Sequence, residues 1–219
     1  KKIRFELAAE DDAGDPRQAT AVAQKFCDAK VAGVVGHLQS GTTIPASGFY
    51  AKCGIPHITS AATNPDLTKP GHPTTFRLIA NDNALGAALA LYGADALKVK
   101  TVAIIDDRTA YGQGVASVFK TTAQQKGIQV VAEEFTNDKA TDFMAILTAI
   151  KSKKPDAIFY GGLDAQAGPM LHQLEQLGMG DVKFFGGDAL CTEKLGELSS
   201  KASTLAHVTC ATGGASVAK

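Results

Sequence analysis

The chain has no excess of either charge: 22 Lys and Arg are matched by 22 Asp and Glu. Balance of this kind argues against nucleic acid or an anionic membrane as main partner, since both require concentrated positive charge. No apolar run approaches the ~20 residues of a membrane-spanning helix. There is no C-x-x-C pair and no cysteine–histidine spacing suited to zinc, so no metal site is expected. Low-complexity linkers and short-period repeats are missing too. So is an initiator methionine: the chain opens on "KKIRFELAAEDD", which reads as a strand beginning a mature protein or a fragment.

What is present is ordinary for a globular protein, 45% hydrophobic and 20% charged. At 219 residues the chain can bury a sizeable core in one large or two small domains. Its four cysteines, Cys27, Cys53, Cys191 and Cys210, allow either two disulfides and an oxidising compartment or four buried thiols.

Strand-like runs recur at 2–8, 32–36, 55–59, 101–106, 128–135, 156–160, 182–186 and 205–210. Between them lie segments of helical period, such as Ala19, Val22, Ala23 and Phe26, or Phe143, Ile146, Leu147 and Ile150. Asp15-Pro16 and Asn64-Pro65 each set a capping side chain before a proline at a first helical position. Gly178 suits the left-handed residue that closes a helix near Leu177. "VAGVVG", "TVAIID" and "DAIFYGG" are apolar throughout, as parallel strands covered on both faces must be. This alternation predicts an α/β protein of parallel sheets with right-handed crossovers. The rhythm breaks once, at "TTFRLIANDNALGAA", where a strand-like run ends at Ile79. We therefore expect a first lobe over 1–80, a second over 81–211, and a return toward the first over 212–219.

In open parallel sheets ligands sit at the carboxyl ends of strands. After 32–36 come His37, Leu38, Gln39, Ser40, Gly41, Thr42 and Thr43; after 55–59 come Ser60, Ala61, Ala62, Thr63 and Asn64. Each loop is expected at a helix N-terminus, where unpaired amides favour an anion, with Ser40 and Thr63 adding hydroxyls. Phosphate fits poorly. Gly36 to Gly41 has the P-loop gap but continues Thr-Thr with no lysine, and "YGQGVAS" lacks the third glycine of a dinucleotide fingerprint. A carboxylate carries about half the charge of a phosphate and can be held by amides and two hydroxyls alone. Catalytic signatures are also missing. Ser40 is not in a G-x-S-x-G elbow. The five histidines are scattered, and His37 reads more simply as a packed or solvated loop residue than as a base for Ser40. The acids of "EDDAGDP" at 10–16 read as a solvated strand end plus the Asp15 cap. Asp188 is more telling: it follows strand 182–186 in the second lobe. Neutral anion donors on one lobe and an acid on the other suit a ligand bearing both charges on one carbon, an α-amino acid.

"DPRQATAVAQKF", "VVGHLQSGTTIPAS", "ITSAATNP", "AIIDDRTAYGQG" and "FYGGLDAQAGPMLHQ" together resemble the leucine/isoleucine/valine-binding proteins of bacterial ABC importers, in order over essentially all of the chain. The resemblance implies a type I periplasmic binding protein fold, with two Rossmann-like lobes joined by a hinge near Asn81 and Asp82. It implies a first lobe that is incomplete here. It also implies a monomer, exported to the periplasm, that needs no cofactor and performs no chemistry. Such a protein captures a branched-chain or other aliphatic α-amino acid in an interlobe cleft and delivers it to a membrane permease. Ser40 and Thr63 match carboxylate-binding positions, with Leu38, Ala61 and Ala62 lining the same spot. Asp188 matches an acid that meets the ammonium group, Tyr111 a position near the cleft, and Leu163 one where some members place an aromatic ring. Cys191 and Cys210 resemble a disulfide pair of relatives, and Cys27 with Cys53 makes a second candidate pair. Some members also bridge the positions of Gly14 and Gln39, and both of those cysteines are missing here. The alternatives are a ligand-sensing domain of the same fold, a binder of small amides, urea or aromatic acids, and, in a different class, a Rossmann-like dehydrogenase or hydrolase.

Overall fold

The computed structural model describes residues 4–214. It divides into two compact units, one of residues 4–62 and 66–78, the other of 63–65 and 79–214.

In the first unit, Asp15 caps helix α1 (Pro16–Asp28), its side chain accepting from the Arg17 and Gln18 amides at 2.8 and 2.9 Å. Strand β1 (Val34–Val35) is followed by helix α2 (Ser40–Cys53), strand β2 (His57–Thr59) and strand β3 (Thr75–Arg77). The strands form a parallel sheet in the order β1-β2-β3. Alternation along each strand sends Val34 and His57 to a face packed with Ala23, Ala46, Tyr50 and Ile55. A disulfide joins Cys27 to Cys53, tying α1 to the end of α2; in the chain-entropy model a loop of this size stabilises by roughly 3 kcal/mol.

Three expectations need correction in this unit. Residues 4–10 form no strand, and Phe5 and Leu7 are 90% and 93% exposed. A strand exists only where another pairs with it, and here none does; residues 2 and 3 of the expected run lie outside the described residues. The 32–36 strand is also not covered on both faces: Val35, in register with Ile58 and Phe76, is 84% exposed. Finally, Asn64-Pro65 opens only a three-residue 3₁₀ turn, Pro65–Leu67. The sequence "KPGHP" just downstream, with prolines at 70 and 73 around Gly71, leaves no room for a helix.

The second unit is a doubly wound sheet. Helix α3 (Asp82–Asp95) leads to β4 (Thr101–Asp106), α4 (Ala110–Gln125), β5 (Gln129–Phe135), α5 (Met144–Lys153), β6 (Ala157–Gly161), α6 (Asp164–Gln176) and β7 (Lys183–Gly186). A short helix α7 (Leu195–Leu198) and strand β8 (Val208–Cys210) complete it. All pairings are parallel, in the order β5-β4-β6-β7-β8. Gly178 takes the left-handed conformation expected after α6, at φ 68°. β4 and β6 are buried on both faces, as their apolar runs require. Val102, Ile104 and Phe159 face α3 and α4 with Val115, Phe119 and Phe185. Ala103, Ile105, Ile158 and Tyr160 face α5 and α6 with Leu147, Met170 and Leu171. Phe119 and Phe159 stack with ring centroids 4.1 Å apart. The expected return over 212–219 falls largely on residues 215–219, outside the described residues.

Phe159→Ala is expected to lose about 3–5 kcal/mol in urea denaturation, as for a buried aromatic ring. Leu7→Ala, on an exposed segment, is expected to stay within about 0.5 kcal/mol. Equal losses at the two positions would contradict this division of the core.

Candidate ligand-binding site

The strand order of the second unit reverses between β4 and β6, the kind of switch point beside which ligands sit in open α/β sheets. A chain of polar contacts builds the loop after β4. The Asp107 carboxylate accepts from the Thr109 amide at 2.9 Å and from its hydroxyl at 2.6 Å, while Thr109 Oγ1 caps α4 by accepting from the Gly112 amide at 2.9 Å. Burial pushes the Asp107 carboxyl up; the two Thr109 bonds offset this in part. The turn sets Tyr111 on the first turn of α4.

Tyr111 donates its hydroxyl hydrogen to Asp188 Oδ1 at 2.9 Å, and the Ala189 amide donates to the same hydroxyl oxygen at 3.3 Å. Asp188 begins a 3₁₀ turn, Asp188–Leu190, just beyond β7. The residue before it must be glycine: a Cβ on Gly187 would sit 2.3 Å from the Tyr111 hydroxyl oxygen. Burial raises the Asp188 carboxyl above its usual range, with the Tyr111 and backbone hydrogen bonds working against that rise. Burial, then the Asp188 charge, pushes the Tyr111 hydroxyl well up, so it stays a donor. A disulfide from Cys191 to Cys210 fastens the end of this turn to β8. Leu163, at the N-cap of α6, packs partly buried against the core. Thr63 also belongs to this unit, buried, its carbonyl accepting from the Asp82 amide at 2.9 Å. Asn64 reaches the Ala110 carbonyl at 2.5 Å.

The first unit carries the other predicted residues. Ser40 is buried and begins α2, so this loop does stand at a helix N-terminus. Leu38 is 70% exposed. Thr59 Oγ1 accepts from the Ala61 and Ala62 amides at 3.2 and 3.0 Å, so those two amides are engaged within the loop. Because only a 3₁₀ turn comes next, loop 60–64 has no α-helix dipole behind it. Gly14 and Gln39 adjoin: a Cβ on Gly14 would lie 3.2 Å from the Gln39 amide. The Cys191–Cys210 disulfide expected from the resemblance is present, and so is the second candidate pair, Cys27–Cys53. Among the described residues no cluster of metal-ligating side chains occurs, and no helix is long and apolar enough to cross a membrane.

Periodicity gave no sign of one further constellation. His37 Nδ1 lies 2.6 Å from Asp12 Oδ2, and its Nε2 lies 3.0 Å from the Tyr50 hydroxyl. The Tyr50 ring in turn packs on buried His57, with centroids 5.1 Å apart. Burial, chiefly, and the charge His37 carries when protonated lower His57 to about 4, offset in part by the Gly36 backbone. Burial also raises the Tyr50 hydroxyl to about 12.

The family described as Periplasmic binding protein matches residues 2–212. The chain belongs to that family. This periplasmic binding protein is 35% identical over 193 residues to the leucine-, isoleucine-, valine-, threonine-, and alanine-binding protein of Pseudomonas aeruginosa, covering 88% of this chain and 52% of that protein. It is 35% identical over 192 residues to Leu/Ile/Val-binding protein homolog 1 of Brucella suis, covering 88% and 52%. Among solved structures, it matches a leucine-binding protein of Thermotoga maritima with a TM-score of 0.84 at 27% identity, covering 88% of this chain and 55% of that one. The branched-chain amino acid transporter substrate-binding protein of Streptococcus pneumoniae, solved with isoleucine, gives 0.80 at 29% identity, covering 89% and 55%. The resemblance read from the sequence is thereby borne out, and with it the α/β fold of parallel sheets. The chain spans about half the length of the curated relatives it matches.

A folded-state value of about 4 for His57, against an ordinary 6.5, means that the unfolded chain takes up a proton first as pH falls. The stability that neutral His57 contributes is whole above about pH 6.5 and is lost progressively toward pH 4, roughly 3 kcal/mol in all. Urea denaturation across this range should show the loss, and His57→Phe should flatten it. An unchanged pH profile in the variant would contradict the assignment.

Proposed function

We propose that this chain is the amino-acid-binding part of a periplasmic solute-binding protein that supplies an aliphatic, branched-chain-type α-amino acid to an ABC permease. The observation that carries the reading is the Tyr111–Asp188 pair: a carboxylate withdrawn from water, oriented by a hydroxyl that stays protonated, at the end of a parallel strand. A carboxylate placed this way suits an ammonium group. The Ser40 and Thr63 hydroxyls, with the amides at the start of α2, suit the ligand's carboxylate. The relatives named for leucine, isoleucine and valine support the same ligand class. Two disulfides suit an oxidising compartment such as the periplasm. The role is capture and release, and no residue is assigned to bond making or breaking.

Charge-assisted hydrogen bonds at each end of the zwitterion contribute about 1.5–3 kcal/mol apiece. An aliphatic side chain burying roughly 100 Å² adds about 2.5 kcal/mol.

A thermal-shift screen of the twenty amino acids is expected to pick out leucine, isoleucine or valine. For the ligand so found, calorimetry on Asp188→Ala should show affinity at least about tenfold weaker, the equivalent of one lost charge-assisted bond. Unchanged affinity would contradict the role given to Asp188.

A second outcome concerns pH. Binding an ammonium group requires Asp188 ionised, and its carboxyl is raised above 3.8. Affinity is therefore expected to hold at neutral pH and to fall as the pH drops through that raised value, with proton release accompanying binding in the falling range. Wild-type affinity that is flat down to pH 4 would count against the pairing.

A further inference from the structure

His37 makes more polar contacts than a packed loop histidine needs, and they run to both loops at the strand ends of the first unit. Its ring is held from two sides, by Asp12 at 2.6 Å and by the Tyr50 hydroxyl at 3.0 Å. Its carbonyl accepts from the Thr59 hydroxyl at 2.9 Å and shares, at 3.2 Å, the Thr43 hydroxyl hydrogen that lies nearer the Gln39 carbonyl, inside the first turns of α2. Thr59 is the residue whose hydroxyl also accepts from the Ala61 and Ala62 amides. Thr43 ties the Gln39 carbonyl to the same helix start at 2.7 Å. Loop 37–40 and loop 59–62 thus share one anchor. Asp12 fixes that anchor with both carboxylate oxygens, since Oδ1 accepts from the Gly14 amide at 2.9 Å while Oδ2 takes His37. Burial alone would raise the Asp12 carboxyl, but the Gly14 and His37 bonds and the His37 charge hold it below its ordinary value. Neither Asp12 nor His37 is among the residues assigned to the ligand. Both side chains are mostly buried, and the groups facing His37 are Asp12, Tyr50 and His57.

We infer that Asp12 and His37 are positioning residues: the hydrogen-bonded pair fixes, through the His37 backbone, the geometry of the loop that carries Ser40 and of loop 59–62, which leads into Thr63; Ser40 and Thr63 carry the two hydroxyls that would receive the ligand carboxylate. This rests on the carboxylate role proposed above for those loops. The pair acts as a unit, because removing either side chain breaks the same His37–Asp12 contact and loosens the same His37 backbone.

The test has two arms. Leucine affinity is measured by calorimetry on Asp12→Ala, His37→Ala, the double variant and Asp12→Asn, with thermal unfolding of each. Each alanine variant is expected to bind about tenfold more weakly, and the double variant no more than about threefold below either single one, as a coupled pair requires. Asp12→Asn, which keeps an acceptor for His37, is expected to stay within about threefold of the parent. In the second arm, hydrogen exchange without ligand is followed at amides 38–43 and 59–62. Both alanine variants should speed exchange there and leave α3 to α6 unchanged. Single effects that simply add in the double variant, or unaltered exchange in both loops, would overturn the inference. If the alanine variants fail to fold, Tyr50→Phe, which removes one hydrogen bond at constant shape, takes their place in both arms with the same expected direction. A parent protein that binds no amino acid would sink the ligand reading alone, and the exchange arm would still decide the positioning role.

Discussion

Strand β4 is hydrogen-bonded along both edges, to β5 and β6, and buried on both faces between α3–α4 and α5–α6. From Val102 to Ile105 its side chains are shut off from water. The same holds along β6. Polar chemistry in this unit is therefore confined to the loops just past the strands: Asp107 after β4, Gly161 to Leu163 after β6, and Asp188 after β7. Close contact at these ends fixes the residue types. Gly112 and Gly187 have no space for a side chain, and Tyr111 crosses Gly187 to meet Asp188. A tyrosine and an aspartate 77 positions apart become a single oriented acceptor because the sheet leaves them nowhere else to go.

The two units divide the electrostatic work. In the second, an acid is withdrawn from water and carries no basic partner in its hydrogen bonds, which is the environment a cationic ligand group completes. In the first, Ser40 opens α2 in the loop that follows the His37–Asp12 contact of 2.6 Å, and in the neighbouring loop the Arg77 guanidinium donates to the Ala62 carbonyl at 3.5 Å. Of the two disulfides, one ties α1 to the end of α2 remote from Ser40, and the other ties the end of the Asp188 turn to β8.

Much of the fold was legible because its signals are local or periodic. The apolar runs of β4 and β6, the Asp15 cap and the Gly178 helix end all depend on residues within a few positions. The failures share a different cause. Residues 4–8 have strand composition, but a strand is made by its neighbour. Val35 sits in an apolar run, yet what covers a face is settled by chain elsewhere. Asn64-Pro65 is a good helix start, overruled by the prolines just downstream. Asp188 was legible from its place just past a strand, whereas Tyr111 entered through family resemblance, since nothing in their spacing announces a contact. Asp12 and His37, 25 positions apart, left no pattern at all. The one hint was that both flank strand-like runs, and strand ends are where distant residues meet.

The central claim is that both charges of the ligand are recognised, each by a different kind of partner. Competition calorimetry with leucine, 4-methylpentanoate and isopentylamine tests it most directly, since the three share a branched hydrocarbon and differ in charge. The account predicts that leucine binds at least about tenfold more tightly than either singly charged analogue, as loss of one charge-assisted contact requires. If the acid or the amine alone bound as tightly as leucine, the dipolar recognition argued from Ser40, Thr63, Tyr111 and Asp188 would be contradicted.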